Sequence, residues 1–211
     1  MLFDEPSEFF FTAGYDSPLG HLDLAMSERG LAVVALHGRW GTPHGSKLHG
    51  TKLHGTRLPN AGNVRWIEDP ERFRGVCRQL DEYFAGERRQ FDLPLDLRGP
   101  EFYRQCWEAL LRIPYGETRS YAQLAAAVGS PQASRAVGQA NHHNPVAIIV
   151  PCHRVIASNG TLAGYAGGLA AKEFLLNLEG AHIRPRLPAQ GSLFGEFAAS
   201  THGVERIIAK P

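Results

Sequence analysis

The chain has 211 residues, 43 % of them hydrophobic, which suits one sizeable core or two small domains sharing an interface and excludes wholesale disorder. No apolar run approaches the roughly 20 residues that span a bilayer, and the acidic start MLFDEPSEFF lacks the basic segment of a secretory signal, so an intracellular, cytoplasmic protein with no membrane partner is expected. The net charge is +1, so any contact with nucleic acid has to come from local geometry and not from a global basic field.

In chain order, FFFTAGYDSPLGHLDLAMSERGLAVVALHG reads as antiparallel strands, with DSPLG and SERG as the turns between them. Leu22, Leu24 and Met26 alternate with polar or small neighbours, as a strand buried on one face requires. From about 39 to 62 the chain is rich in His and Gly and contains the near-repeat KLHGT, and it reads as a flexible insertion. His44, His49 and His54 recur every five residues there, but a Gly-rich stretch without a carboxylate or cysteine gives no preformed metal site. VRWIED is a further strand. PERFRGVCRQLDEYFAG is a helix with Phe73, Val76, Cys77, Leu80 and Phe84 at helical spacing and Gly86 as its stop. FDLPLDLRG, limited by Pro94 and Pro100, reads as a linker. The expectation is an α/β N-terminal domain over 1–92 with a small antiparallel sheet.

The part over 98–182 reads as a mainly α domain, followed by a tail over 183–211 with no assigned role. PEFYRQCWEALLRIPYG puts Phe102, Cys106, Ala109, Leu110 and Ile113 on one helical face. Two short helices follow, SYAQLAAAV and PQASRAVGQAN, separated by GS in the manner of a helix-turn-helix, with Ser130 as N-cap and Pro131 at the first position of the second. That second helix is built from small residues, Ala133, Ser134, Ala136, Gly138 and Ala140. Such a surface lets a backbone approach a minor groove about 6 Å wide, and Arg135 projects from its midst. From the helix alone such an arginine reads first as a surface residue on an Ala-rich helix, and second as a side chain that fills the space left when a nucleotide is taken out of the stack.

The three cysteines Cys77, Cys106 and Cys152 are odd in number and show no C-x-x-C pairing, so neither a disulfide framework nor a zinc finger is suggested. Cys77 and Cys106 lie on apolar helical stripes and read as core residues. Cys152 is different. In NPVAIIVPCHRVIASNG the apolar run Val146 to Val150 reads as a buried strand that breaks at Pro151, Cys152, His153 and Arg154. A free thiol is only a few per cent ionised near neutral pH, so cysteine chemistry needs a base, and His153 is the evident candidate. Neighbours on a strand point to opposite faces, so their contact requires a turn or a bridging water.

The string RAVGQANHHNPVAIIVPCHRVI, followed by GYAGGLAAKEFLLNLEGA, resembles the signature of the O6-alkylguanine-DNA alkyltransferases, also called methylated-DNA–protein-cysteine methyltransferases. The likeness is dense from about Tyr103 to Ala181 and weaker before it. It implies double-stranded DNA containing O6-alkylguanine as partner, with O4-alkylthymine left open as a second substrate. It also implies transfer of the alkyl group to Cys152 in a single turnover, and no cofactor. By the same resemblance, His153 is the base acting through a water, Glu173 orients it, and Asn144 supports the turn before the cysteine. Tyr121 donates to the base and helps rotate it outward, and Arg135 fills the gap within a DNA-binding helix that includes Ser134, Ala136 and Gly138. Tyr165 and Ala166 close over the base, and the carbonyls of Cys152 and Val155 accept from its amino group. Some relatives carry serine where this chain has Ala166, and some hold a structural zinc for which no matching Cys/His set is found here. A monomer is expected in solution, with clustering on DNA left open, and association with the nucleoid when bound.

Three other readings compete. A non-catalytic alkyltransferase-like protein that flags lesions shares this architecture but replaces the acceptor cysteine, which is intact here. A cysteine hydrolase needs an oxyanion hole and leaves the helix-turn-helix unexplained. A transcription factor needs several base-reading side chains on its major-groove helix, and this one has too few.

Overall fold

The computed structural model describes residues 8–36, 52–53, 56–57 and 64–183. Strands β1 (Glu8–Ser17), β2 (Gly20–Ser27) and β3 (Gly30–Leu36) form the expected antiparallel meander. Leu22 and Leu24 are fully buried, but a bulge between Ala25 and Met26 breaks the alternation, burying Ala25 and Ser27 and leaving Met26 half-buried. A two-residue hairpin, β4 (Lys52–Leu53) with β5 (Thr56–Arg57), falls within the His/Gly-rich insertion. His44, His49 and His54, and most of that insertion, lie outside the described residues, as does the tail beyond 183.

β6 (Val64–Glu68) returns on the far edge and pairs in parallel with β1, giving the order β3-β2-β1-β6. The sheet is therefore mixed and not antiparallel throughout. A parallel pair needs a long connection, and β2 and β3 both lie between β1 and β6 in the chain. A 3-10 turn (Pro70–Phe73) leads into α1 (Arg74–Phe84), whose inner face is Val76, Gln79, Leu80 and Tyr83, with Cys77 and Phe84 half-buried at its sides.

The proline-limited segment after α1 is strapped along the outer edge of β3. Leu31 N–H donates to Pro94 O (2.8 Å) and Asp96 N–H to Leu31 O (2.9 Å). A Cβ on Gly30 would stand 2.4 Å from Pro94 O, and its φ of +144° is one that L side chains rarely adopt, so the close approach requires glycine. Arg98 ties the strap down by pairing with both Asp96 and Glu8. Further along the same edge, Val34 N–H donates to Pro145 O (2.9 Å) and Ala147 N–H to Val34 O (3.0 Å). All seven residues of β3 are buried, and its free edge is closed by the strap and by the loop that precedes Cys152.

The rest is helical: α2 (Glu101–Leu111), β7 (Arg119–Ser120), α3 (Tyr121–Ala127), α4 (Ser134–His142), β8 (Val155–Ile156) and α5 (Leu169–Leu178). Ser120 and Gln123 close a capping box on α3. The start of α4 differs from the sequence expectation. Ser130 does not cap it; Pro131 instead opens a turn closed by Ala133 N–H to Ser130 O (2.8 Å), and the helix begins at Ser134. Trp107 of α2, 1 % exposed, donates its indole N–H to Ala140 O (2.8 Å) and locks α4 onto the core. That core is continuous across both halves, running from Phe11, Leu22 and Leu24 through Leu80 and Tyr83 to Cys106, Leu110, Val137, Val150 and Leu175. No helix among the described residues is long and apolar enough to cross a membrane.

Candidate active site

The run Val146–Val150 is buried but is not a strand. Apart from one bridge between Val146 and Val34, it coils into turns, with Val150 N–H donating to Val146 O (2.9 Å) and Ile148 at φ +74°. A β-branched residue in that region is strained, at a cost of order 1–3 kcal/mol, and it persists because the surrounding contacts fix it. Asn144 holds the coil shut. Its Oδ1 accepts from Val146 N–H (3.1 Å), while its Nδ2 reaches Val150 O (2.8 Å) and Cys152 Sγ (3.1 Å). The expected supporting role of Asn144 thus has a concrete geometry: one amide fixes both ends of the turn and touches the thiol.

Cys152 opens a 3-10 turn (Cys152–Arg154) and is 5 % exposed. Burial pushes its thiol up, opposed by the Asn144 hydrogen bond and the positive charge of Lys172. His153 is fully buried, with Nε2 2.8 Å from a carboxylate oxygen of Glu179 and Nδ1 without a partner. Burial pulls the imidazole below its ordinary value more strongly than Glu179 raises it, so the ring is held neutral. Neutral, with Nε2–H donating to the carboxylate, it leaves Nδ1 as a free acceptor.

The residue that orients His153 is therefore Glu179, and Glu173 is not part of the site. Glu173 is exposed on the outer side of α5. Lys172, Leu175, Leu176 and Glu179 are all buried and share the inner stripe of the helix at its three- and four-residue spacing. Glu179 caps the helix, and the chain turns sharply behind it: Gly180 adopts φ +67°, Gly180 N–H donates to Asn177 O (3.0 Å) and Ala181 N–H to Leu176 O (2.9 Å). A carboxylate at a helix C-terminus opposes the macrodipole, and Arg154 compensates with Nε and Nη2 each 2.9 Å from its oxygens. Burial pushes the Glu179 carboxyl up, but hydrogen bonds from His153 and Arg154 and their charge outweigh it and hold the group far below the usual carboxylate range.

A cavity of about 350 Å³ opens over Cys152, lined by Tyr121, Gly138, Gln139, Asn141, His142, Gly164, Tyr165 and Ala166. Of the residues expected to meet a base, the structure brings Tyr121, Tyr165, Ala166 and Cys152 together here, joined by Gly138 of the expected DNA-binding helix. The Tyr121 hydroxyl stays protonated near neutrality, since burial and the neighbouring Cys152 both raise its pKa. Tyr165 is 7 % exposed with its ring centre 6.5 Å from that of His153. Ser134, Arg135 and Ala136 do not line the cavity; they lie on the outer side of α4, where Arg135 and Ala136 are exposed. Val155 is fully buried, and its carbonyl accepts from Lys172 Nζ (2.5 Å), which also reaches Ala163 O (2.7 Å). Burial lowers the Lys172 pKa to about 8.

Sequence reasoning missed Glu179, Lys172 and Asn141. Asn141 is 8 % exposed in the cavity wall, and neither of its amide atoms has a partner. A missed charge signal points at the same face: no Asp or Glu occurs between Thr118 and Lys172, so the helix-turn-helix is free of acids although the whole chain is nearly neutral. Among the described residues no cluster of three or more His, Cys, Asp or Glu could hold a metal.

Two family profiles match the chain: "6-O-methylguanine DNA methyltransferase, ribonuclease-like domain" over 11–97 and "6-O-methylguanine DNA methyltransferase, DNA binding domain" over 101–181. The methylated-DNA–protein-cysteine methyltransferase of Methanosarcina acetivorans is 48 % identical over 170 residues, covering 81 % of this chain and 98 % of that relative. A crystal structure of Mycobacterium tuberculosis O6-methylguanine methyltransferase superposes with a TM-score of 0.68 at 45 % identity, covering 86 % of this chain and 96 % of the other. One of Mycobacterium tuberculosis OGT in complex with DNA gives 0.66 at 45 % identity, covering 82 % and 92 %. With the buried Cys152–His153–Glu179 array seated under a helix-turn-helix, these matches establish that the chain belongs to the methylated-DNA–protein-cysteine methyltransferase family.

Proposed function

We propose that this protein repairs alkylated double-stranded DNA by moving the alkyl group from O6 of a guanine onto Cys152, once per molecule. The observation that carries the reading is a buried thiol at the floor of a base-sized cavity, beside a neutral histidine whose Nε2 is fixed and whose Nδ1 is free. The thiol proton passes through a water to Nδ1 of His153, giving a thiolate and an imidazolium held by Glu179. The thiolate attacks the saturated carbon, the S–C bond forms, and the C–O6 bond breaks with its electron pair staying on the guanine. The Tyr121 hydroxyl hydrogen-bonds the departing ring and offsets the charge that develops there. The resulting thioether has no easy return to thiol, so turnover ends.

On this reading the nucleotide swings out of the duplex to reach the buried thiol at the cavity floor, at a cost of a few kcal/mol. Small residues on the outer side of α4 allow close approach to the minor groove, and Arg135, exposed and without a hydrogen bond among the described residues, enters the vacated space. The decisive experiment is the intact mass of the protein after incubation with duplex DNA carrying one O6-methylguanine, followed by peptide mapping. The expected result is a gain of one methylene on Cys152, lost in Cys152→Ser with duplex binding retained. Tight lesion binding without any mass change would replace this reading with that of a non-catalytic lesion binder.

A further inference from the structure

Glu179 is met by donors from three separate parts of the chain. Its Oε1 accepts from His153 Nε2 (2.8 Å), Arg154 Nη2 (2.9 Å) and the Tyr83 hydroxyl (2.7 Å); its Oε2 accepts from Arg154 Nε (2.9 Å) and Gly116 N–H (3.3 Å). A carboxylate offers about four lone-pair sites, so five donors saturate it. His153 and Arg154 belong to the cysteine turn and Gly116 to the loop after α2, but Tyr83 comes from α1, in the N-terminal half. It is fully buried, its ring packed against Phe84, Phe91 and Tyr115 at centroid distances of 5.4, 5.3 and 6.2 Å. Phenylalanine would fill the same space without a polar atom to desolvate, so packing does not account for the hydroxyl. It is the oxygen serving His153 that it contacts.

We propose that Tyr83 is a positioning residue for the alkyl transfer: from the N-terminal half it holds Glu179 Oε1 against His153 Nε2 and draws off part of its charge, which sets how strong a base His153 is. The role rests on the transfer reaction proposed above. A hydrogen bond to the ionised carboxylate lowers its pull on the imidazolium, so losing the hydroxyl makes His153 more basic. The other groups facing the pair are Arg154 beside Glu179, Tyr115 with Arg89 over its ring, Tyr165 against the His153 ring, and Lys172 and Cys152 on the cavity side. None of these changes when the Tyr83 hydroxyl is removed.

The test is Tyr83→Phe in the full chain, with two pH profiles. One is alkylation of Cys152 by iodoacetamide, resolved from Cys77 and Cys106 by peptide mapping; the other is single-turnover transfer from an O6-methylguanine duplex. The acid limb of both moves up by about one pH unit, while duplex affinity is unchanged. A second variant, 3,5-difluorotyrosine at position 83, is a stronger donor of nearly the same size and moves the limb downward with the fold retained. A loss of stability alone would lower rates at every pH without displacing the limb. Limbs that stay in place for both variants, with wild-type transfer intact, overturn the role of Tyr83. Wild-type protein that transfers no methyl overturns the transfer reaction instead, and the iodoacetamide profile still judges Tyr83.

Discussion

Around Cys152 the chemistry is divided among single side chains with separable duties: Asn144 touches the sulfur, His153 offers one free ring nitrogen, and Glu179 holds the other. Replacing the carboxylate by an amide places an N–H among donors from His153, Arg154 and Tyr83, so the imidazole loses its anchor. Glu179→Gln is expected to lower single-turnover transfer on the order of a hundredfold, the scale on which general-base catalysis acts. Glu173→Gln, changing an exposed group on the opposite side of α5, leaves the rate at the wild-type value; a loss in that variant would restore Glu173 to the site. The contrast also marks what is legible in the chain. Cys152, His153 and Asn144 cluster within ten positions around a proline break, so local chemistry identifies them. Choosing between the two glutamates requires the phase of α5, in which Lys172 and Glu179 stand two turns apart on one stripe. Tyr83 reaches its partner across the whole fold, and nothing local reveals such a pairing.

Among the elements, α4 carries two duties on two faces. Val137, Ala140 and Asn141 turn inward, the last two toward Trp107 and the cavity, while Arg135 and Ala136 face outward. Arg135→Ala should therefore slow transfer from a duplex lesion far more than reaction with free O6-benzylguanine, which needs no space filled in a base stack. Comparing the two rates in one preparation checks it, and equal slowing would remove the proposed part of Arg135. Helices with a clear apolar stripe were readable from periodicity, α1 and α2 above all. The run Val146–Val150 was not, because five apolar residues between two prolines suit a buried strand and a buried coil equally well. β3 bonds only its start, through Val34, and the Asn144 side chain supplies the hydrogen bonds to Val146 and Val150 that further strand pairing would have given. The parallel placement of β6 was equally hidden, since pairing direction depends on a crossover and not on the strand's own residues.

At the scale of the molecule, the halves matched by two family profiles behave as one packed body. A single core crosses between them, the strap over 93–98 lies along β3, and the Tyr83–Glu179 bond joins α1 to the reaction centre. The two domains that the profiles match share this one core.

The covered edge of β3 has a consequence for what happens after the reaction. Val34 exchanges two backbone hydrogen bonds with the loop that Asn144 closes, and the Asn144 amide lies 3.1 Å from the sulfur of Cys152, the proposed acceptor. A methyl on that sulfur would project into the cavity above it, and where it displaced the Asn144 amide the packed interior would pass the shift on to its neighbours. A shift of the Asn144 amide would then be read at Val34, an edge residue of the N-terminal sheet. Amide hydrogen exchange at Val34 and Ala147 should run faster in the methylated protein than in the unmodified one, and identical exchange would mean that the change stays at Cys152.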